Sequence, residues 1–342
     1  MAKPSQLKTL IDTVTADVTA HPQDLTACYA ERLRISRVAA NRYVRQLEEL
    51  GWIARSGPST RPVYSPGYRR RVEKTYPLKG LEEDVAWSRD FRPYLSLQSN
   101  VLGVAQHGFT EMLNNAIDHS GGRKVFVVAE QDQSTLYMFI SDDGVGIFQK
   151  ITEALDLPDK RLALLELSKG KFTTDPARHS GEGVFFTSRM FDGYFIDANG
   201  LQFSHRSNQD RDWLHQTDAA LKGTSVFMAI DLNSQRTTTE VFQSFMNAPE
   251  DYDFSKTIVP MKLAQIGDEQ LVSRSQAKRL IARFDKFKTV VLDFTGIESI
   301  GQAFADELFR VYAGAHPQVE LLPMQMTDQV ERMWLRAIAP RG

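Results

Sequence analysis

Four short motifs, met in a fixed order along an alternating pattern of helix and strand, constrain this 342-residue chain more than its composition does. The first lies on one long helical stretch, residues 98–120. There Glu111-Met-Leu-Asn-Asn115-Ala-Ile-Asp118-His sets Glu111 and Asn115 four apart and so on one helix face. The second, Asp142-Asp-Gly144-Val-Gly146-Ile147, closes the second of two strands read at 124–130 and 135–141. The third, Gly181-Glu-Gly183, opens a helix over 184–191, and the fourth, Lys222-Gly223-Thr224, starts a strand over 225–231. Between the second and third lie a helix-rich stretch, 148–167, and a segment rich in Lys, Thr and Gly, 168–180; strands at 193–197 and 201–205 then precede an Asp-rich loop. A carboxylate before Gly-x-Gly is common by chance, so the order and spacing of the set carry the information.

Taken together the four motifs resemble the GHKL ATPase superfamily, which includes the gyrase B subunit, mismatch-repair proteins, heat-shock chaperones, histidine kinases and anti-sigma-factor serine kinases. The resemblance implies an α/β sandwich that binds ATP with Mg2+. It makes Asp142 the acceptor of a hydrogen bond from the adenine amino group, which separates adenine from guanine. Gly144 and Gly146, lacking side chains, let the backbone approach the base beside Ile147, and Thr224 joins through water. Gly181 and Gly183 offer helix-start amides to the phosphates, and Lys169, Lys171 and Arg178 in the lid neutralise phosphate charge. Asn115 is the implied magnesium ligand, an oxygen donor suited to a hard cation, with Asp118 close by on the same helix. Glu111 is the implied catalytic residue, orienting or deprotonating the attacking nucleophile as in the hydrolysing and serine-phosphorylating branches. Asp143 stands where asparagine is often found, and Glu182 sits between the lid glycines. A conventional histidine kinase is not expected, because only His107 precedes the motif closely and it lies on the same helix.

Charge divides the chain unevenly. Residues 1–75 hold thirteen Lys or Arg against seven Asp or Glu, a net of +6, which leaves -8 for the rest of a chain whose formal net charge is -2. The basic segment reads as helices over 7–18, 25–33 and 37–50, with Ser36 capping the third. Ala40, Val44, Leu47 and Leu50 of that helix fall at core spacing, while Arg37, Asn41, Arg42 and Arg45 share the other side. A strand at 52–55, a turn at Gly57-Pro58 and a return at 62–64 follow. This order, with the phrase Leu47-Glu-Glu-Leu-Gly-Trp-Ile-Ala-Arg55, resembles the winged helix-turn-helix domain of bacterial regulators. The third helix then enters the major groove with Arg37, Asn41 and Arg45 toward base edges. Arg55, Arg61 and the run Arg69-Arg70-Arg71 meet phosphates.

From about residue 255 the pattern is strand, helix, strand, helix, strand, helix, with strands at 257–264, 289–294 and 319–323 and helices at 273–284, 301–313 and 327–338. The stretch Val290-Val-Leu-Asp293-Phe-Thr-Gly296-Ile-Glu-Ser299-Ile300-Gly-Gln-Ala-Phe304-Ala-Asp306-Glu307-Leu resembles a STAS-like domain, related to anti-sigma-factor antagonists. Those antagonists carry a phosphorylatable serine at the start of the helix after the second strand; Ile300-Gly-Gln-Ala303 has no hydroxyl there, although Ser299 is near. Asp306 and Glu307 read as a solvated helix face or a first-turn charge preference.

The expectation is an α/β multidomain protein: a winged helix over 1–72, a GHKL ATP-binding domain over 73–245 and a STAS-like domain over 246–342. One cysteine, Cys28, precludes an internal disulfide, and the seven His are scattered without metal-ligand spacing. Nowhere do about 18 apolar residues run together, and the first residues show no apolar signal core, so the reading is a cytoplasmic chain without a membrane partner. Functionally it is an ATP-binding and ATP-hydrolysing transcriptional regulator whose nucleotide state controls binding to DNA or to a protein partner. Dimerisation is common among winged-helix regulators, although no residue here demands a homodimer. The alternative is an anti-sigma-type serine/threonine kinase acting on a partner protein.

Overall fold

The computed structural model describes residues 4–173, 181–207, 211–216, 222–246, 254–265 and 269–339. It is a mixed α/β chain that divides into two compact units, Met1–Gly144 with Ser225–Gln235, and Val145–Thr224 with Arg236–Gly342.

The first unit opens with α1 (Pro4–Ile11), α2 (Val14–Ala20), α3 (Leu25–Leu33) and α4 (Arg37–Glu49). An antiparallel hairpin follows, β1 (Ile53–Ser56) and β2 (Val63–Pro66), paired Ile53 to Pro66. Leu10, Val14, Val18, Leu25, Tyr29, Val44 and Leu47 are fully buried in one core, with Cys28 at its edge. Burial raises the Cys28 thiol pKa, so the sulfur stays protonated and packs as a small apolar group. The single helix expected over 7–18 is two helices broken at Asp12-Thr13. The break frees Thr13 and Asp17 for α3: Arg32 donates to Asp17 Oδ1 and Oδ2, both at 2.6 Å, and to Thr13 Oγ1 at 2.9 Å. Ser36 accepts the Ala39 amide at 3.2 Å, a cap that contributes about 1 kcal/mol to α4.

Next come β3 (Arg70–Pro77), a short helical run of α5 (Glu83–Ala86) with a π turn (Trp87–Phe91), and α6 (Ser99–Asn114), which widens into a second π turn (Asn115–His119). Two long strands follow, β4 (Lys124–Gln131) and β5 (Thr135–Asp142). β3, β4 and β5 are antiparallel in that order, with Val72 opposite Ala129 and Val127 opposite Ile140. Strand periodicity sends Leu136, Met138 and Ile140 to the buried face. α6 packs on β5, with Val104, Ala105 and Phe109 buried, and Phe109 also meets Trp87 and Phe91 at ring centroids of 5.0 and 4.9 Å. The other face carries half-buried Phe126, Tyr137 and Phe139.

The second unit begins with α7 (Ile147–Ala154), α8 (Arg161–Lys169) and α9 (Gly183–Met190), then an antiparallel meander of β6 (Gly193–Ala198), β7 (Leu201–Arg206) and β8 (Arg211–Gln216). Sequence reasoning read β8 as loop, because its flanking Asp and Asn residues hide a strand defined only by its pairing with β7. β9 (Thr224–Asp231), whose residues from Ser225 onward belong to the first unit, pairs antiparallel with β5, Leu136 opposite Ile230.

The remainder of the second unit starts with α10 (Thr238–Ser244), which carries a capping box of Thr237 and Glu240. Then come β10 (Lys256–Pro260), α11 (Arg274–Ile281), β11 (Thr289–Asp293), and a continuous helix of α12 (Gln302–Ala305), a π segment (Asp306–Tyr312) and α13 (Ala313–Ala315). β12 (Glu320–Met324) and α14 (Asp328–Ile338) complete it. The three strands are parallel in the order β10-β11-β12, the outcome helical crossovers produce. β11 is central and reads as a continuous apolar run because it is covered on both faces. Asp306 and Glu307 are not solvated: each is only 8% exposed, with Arg310 at 3.3 Å from Asp306 and Lys278 at 4.0 Å from Glu307. Among the described residues no helix is long and apolar enough to cross a membrane.

Candidate functional site

The sequence-predicted nucleotide residues divide between the units. Glu111, Asn115, Asp118, Asp142 and Gly144 belong to the first; Gly146, Ile147, Lys169, Lys171, Gly181, Gly183 and Thr224 belong to the second.

In the first unit α6 sets its buried face by helical spacing of Val101, Ala105, Phe109 and Met112, which leaves Glu111 and Asn115 half-buried on the neighbouring side. Asn115 begins the π turn, a widening that re-aims the side chains along the helix end and is frequent at functional sites. Its Nδ2 lies 4.0 Å from Met112 Sδ, and Asp118 is exposed. One turn before Glu111, burial lowers the His107 pKa to about 4, so its ring is neutral at pH 7.

Asp142 ends β5 at 7% exposure, and its Oδ1 accepts the Gly144 amide at 2.8 Å. Asp143 instead closes the turn into β4, with Oδ1 accepting from Arg123 N at 2.7 Å and Lys124 N at 3.0 Å. A Cβ on Gly144 would land on the Ser120 backbone carbonyl, so the absent side chain is required by the approach of the strand end to the helix end. That places the helix of Glu111 and Asn115 beside the strand of Asp142.

In the second unit Gly146 takes a left-handed φ of 88° and precedes α7. Thr224 Oγ1 accepts the Ile147 amide at 3.0 Å, satisfying the first donor of that helix. Asn199, which sequence reasoning missed, stitches the same turn: its Oδ1 accepts Gln149 N and its Nδ2 donates to Val145 O, both at 3.0 Å. The Asn199-Gly200 dipeptide between two strands was the available signal, a hairpin-turn signature. Gly181, also left-handed, sits where a Cβ would overlap the Phe172 backbone, and Phe172 N donates to Gly181 O at 3.1 Å. Gly183 is the first residue of α9, after Glu182. Arg178 lies outside the described residues.

Lys169, expected to neutralise phosphate charge, is turned inward in the structure. Its side chain is fully buried, and Nζ donates to Glu166 Oε1 at 2.6 Å and to Ala282 O at 3.0 Å. Burial pushes its pKa down, opposed by the Glu166 charge. Arg283 completes the cluster, donating to Glu166 Oε2 at 2.7 Å and to Gly170 O at 2.8 Å. Lys171 remains half-buried, with Nζ 3.3 Å from Lys286 O and over the rings of Phe254 and Phe287. The sequence shows a Lys in a Gly-rich segment; it does not show that a carboxylate one helical turn earlier faces the same way.

On α4, Arg37, Arg42 and Arg45 are exposed, Asn41 is half-buried, and Val38 between them is 71% exposed. Arg55 and Arg61 are exposed on the hairpin. Of the run Arg69-Arg70-Arg71, Arg69 stays exposed, with its guanidinium carbon 5.9 Å from the Trp52 ring centroid, whereas Arg70 and Arg71 turn inward, away from the expected phosphate role. Arg70 donates to Gly67 O and Tyr94 O, both at 3.2 Å. Arg71 meets Glu130 at 2.6 Å, Glu73 at 2.7 Å and Asp12 at 3.3 Å, so it ties the first helices to β3 and β4.

Among the described residues no group of three or more His, Cys, Asp or Glu is placed to hold a metal ion. A family model, the STAS-like domain of unknown function DUF4325, matches residues 276–331. The chain therefore carries a STAS-like domain, and the match spans β11 and β12. No curated protein matches the chain.

Proposed function

We propose that this chain is an ATP-binding, ATP-hydrolysing transcriptional regulator in which nucleotide occupancy alters DNA binding. The observation that supports the reading best is that one compact unit contains both the exposed basic side of α4 and the buried Asp142 carboxylate at the end of β5. Arg71 bridges the two parts of that unit by ion pairs on Asp12 and Glu130.

The residues present fit the implied ligand. Asp142 is a buried acceptor oriented by the Gly144 amide, the chemistry an exocyclic amino group needs. Asn115 would hold magnesium through its carbonyl oxygen. Magnesium, when bound, supplies charge neutralisation of the phosphates. Glu111, one turn before Asn115, is the group to orient an attacking water. Gly181 and Gly183 would offer amides to phosphate at the start of α9.

Winged-helix DNA reading rests on Arg37, Asn41 and Arg45 for base edges and on Arg55 and Arg61 for phosphates. A gel shift on the promoter region of the chain's own gene, with and without ATP and magnesium, tests the coupling; identical shifts at saturating ATP would overturn it. A second reading, a serine/threonine protein kinase, draws on one observation: Glu111 shares a chain with a STAS-like domain. Labelled γ-phosphate separates the two, since the regulator releases free phosphate and the kinase labels a protein.

A further inference from the structure

We propose that the second unit contains a binding site for a small organic anion with an apolar body, at the carboxyl ends of its three parallel strands. A cavity of about 420 Å³ opens there, within the range of small-molecule pockets. Its wall is formed by Ile258 and Pro260 of β10, Asp293 and Thr295 at the end of β11, and Met324 and Gln325 at the end of β12. Ligands of open parallel sheets bind at this end because the strand ends and following loops converge there. Gln325 holds a left-handed φ of 55°, an uncommon conformation for a residue with a side chain.

The cations come from elsewhere in the same unit. Arg189 of α9 stacks on Phe185, with the guanidinium carbon 3.7 Å from the ring centroid, and donates to Phe185 O at 3.1 Å and Ser188 Oγ at 2.9 Å. Arg236 donates to Met190 O at 2.8 Å and Asp192 Oδ1 at 3.1 Å. Both arginines line the cavity, together with His205 and the hydroxyl residues Ser207 and Ser244. Val241 and Phe245 supply an apolar patch. A stacked guanidinium is weakly hydrated and presents a planar fork, which suits carboxylate or phosphate.

The competing explanation is that Arg189 merely satisfies a carbonyl of its own helix and Arg236 the Met190 carbonyl at the C-terminus of α9, where cations are favoured. That role needs no cavity, and it gives no reason for two arginines from separate segments to line the same one. Asp293 is the lone carboxylate among the described lining residues; it accepts from Thr295 N at 2.9 Å and Thr295 Oγ1 at 2.6 Å. The two arginines therefore favour a negative ligand, while Asp293 limits the charge the wall can accept.

Part of the site belongs to the STAS-like domain, since Asp293, Thr295, Met324 and Gln325 fall inside residues 276–331. Arg189 comes from α9, the helix that Gly181-Glu182-Gly183 opens. The proposal is independent of the nucleotide reading.

Calorimetric titration of the full chain with phenyl phosphate, phenylacetate, inorganic phosphate and benzyl alcohol tests it. Phenyl phosphate or phenylacetate binds, with inorganic phosphate and benzyl alcohol at least tenfold weaker. Met324→Trp fills the cavity from a half-exposed position, so folding is kept, and Arg189→Gln removes the stacked cation; each weakens binding at least tenfold. Asp142→Asn and saturating ATP leave it unchanged. No binding of either organic anion to the wild type, equal binding of inorganic phosphate, unaltered affinity in Met324→Trp, or displacement by ATP would each overturn the proposal.

Discussion

The ammonium of Lys169 lies 2.6 Å from Oε1 of Glu166 with neither side chain more than 4% exposed, and Arg283 takes the other carboxylate oxygen at 2.7 Å. One buried carboxylate therefore serves as the counter-charge of two cations. Removing it strands both, and breaking a buried pair from one side costs about 3–5 kcal/mol. Glu166→Ala should lower the unfolding free energy by that order in urea. Lys169→Met should cost less, because Glu166 keeps Arg283, and it should leave ATP affinity unchanged. Lost ATP affinity in Lys169→Met at undiminished stability would return this lysine to the phosphates.

His107 gives a pH signature. Its folded pKa of about 4 lies below the ordinary value of 6.5, so the fold favours the neutral ring. Between these values the unfolded chain binds more protons, and stability falls as pH falls. The contribution is present above pH 6.5 and is lost toward pH 4. Each pH unit crossed between the two values is worth about 1.4 kcal/mol, so the loss from pH 7 to pH 5 is about 2 kcal/mol. His107→Leu should remove that part of the pH dependence; identical stability profiles for variant and wild type would show that the ring is not buried in solution.

How much of this was legible follows from what each element answers to. α4, and α6 together with its π turn, were read to within a residue or two because their apolar spacing is set by local burial, and β11 because a covered parallel strand is a plain apolar run. β3 was missed: its first residues, Arg70 and Arg71, look like a solvated basic run, and only Glu130, distant in sequence, reveals one as an internal ion pair. The same limit hid the inward turn of Lys169 and the burial of Asp306 and Glu307, since pairing partners on other segments decide whether a charge faces water. Asn199 was hidden because its turn dipeptide announces a hairpin and not what its side chain stitches.

Gly144 separates packing from ligand approach. A methyl there meets the backbone carbonyl of Ser120, which cannot rotate away, so Gly144→Ala forces the strand end off the helix end. Overpacking of this kind costs about 1–3 kcal/mol. The loss should appear in nucleotide-free protein, as a lower thermal midpoint. A midpoint unchanged without ATP, with ATP binding weakened, would assign the glycine to the base alone.

Asp142 and Glu111 should part company in a paired test. Asp142→Asn keeps an Oδ1 acceptor for the Gly144 amide, so the turn survives, but it turns an amide donor toward the adenine amino group. Affinity for ATP should fall about 10- to 100-fold, the cost of one lost charge-assisted bond. Glu111→Ala should bind ATP as the wild type does and lose phosphate release. Fluorescent-nucleotide titration and a phosphate-release assay read the two; loss of binding in Glu111→Ala would mean that its role is misassigned.

Three arginines distinguish a DNA-reading head from a merely basic one. Arg45, exposed on α4, should behave as a base contact: Arg45→Ala relaxes preference at one position and costs about 1–3 kcal/mol on the specific site. Arg55, exposed on β1, should behave as a phosphate contact: Arg55→Ala weakens specific and scrambled DNA alike and reduces the salt slope by about one. Arg71 should do neither. Its guanidinium is committed to Glu130, Glu73 and Asp12, so Arg71→Ala loosens the junction between the first helices and the sheet and lowers stability. Fluorescence anisotropy across salt concentrations reads all three variants. A slope reduced by one in Arg71→Ala at native stability would show that the ion pairs yield to phosphate, and that the arginine run belongs to the DNA face after all.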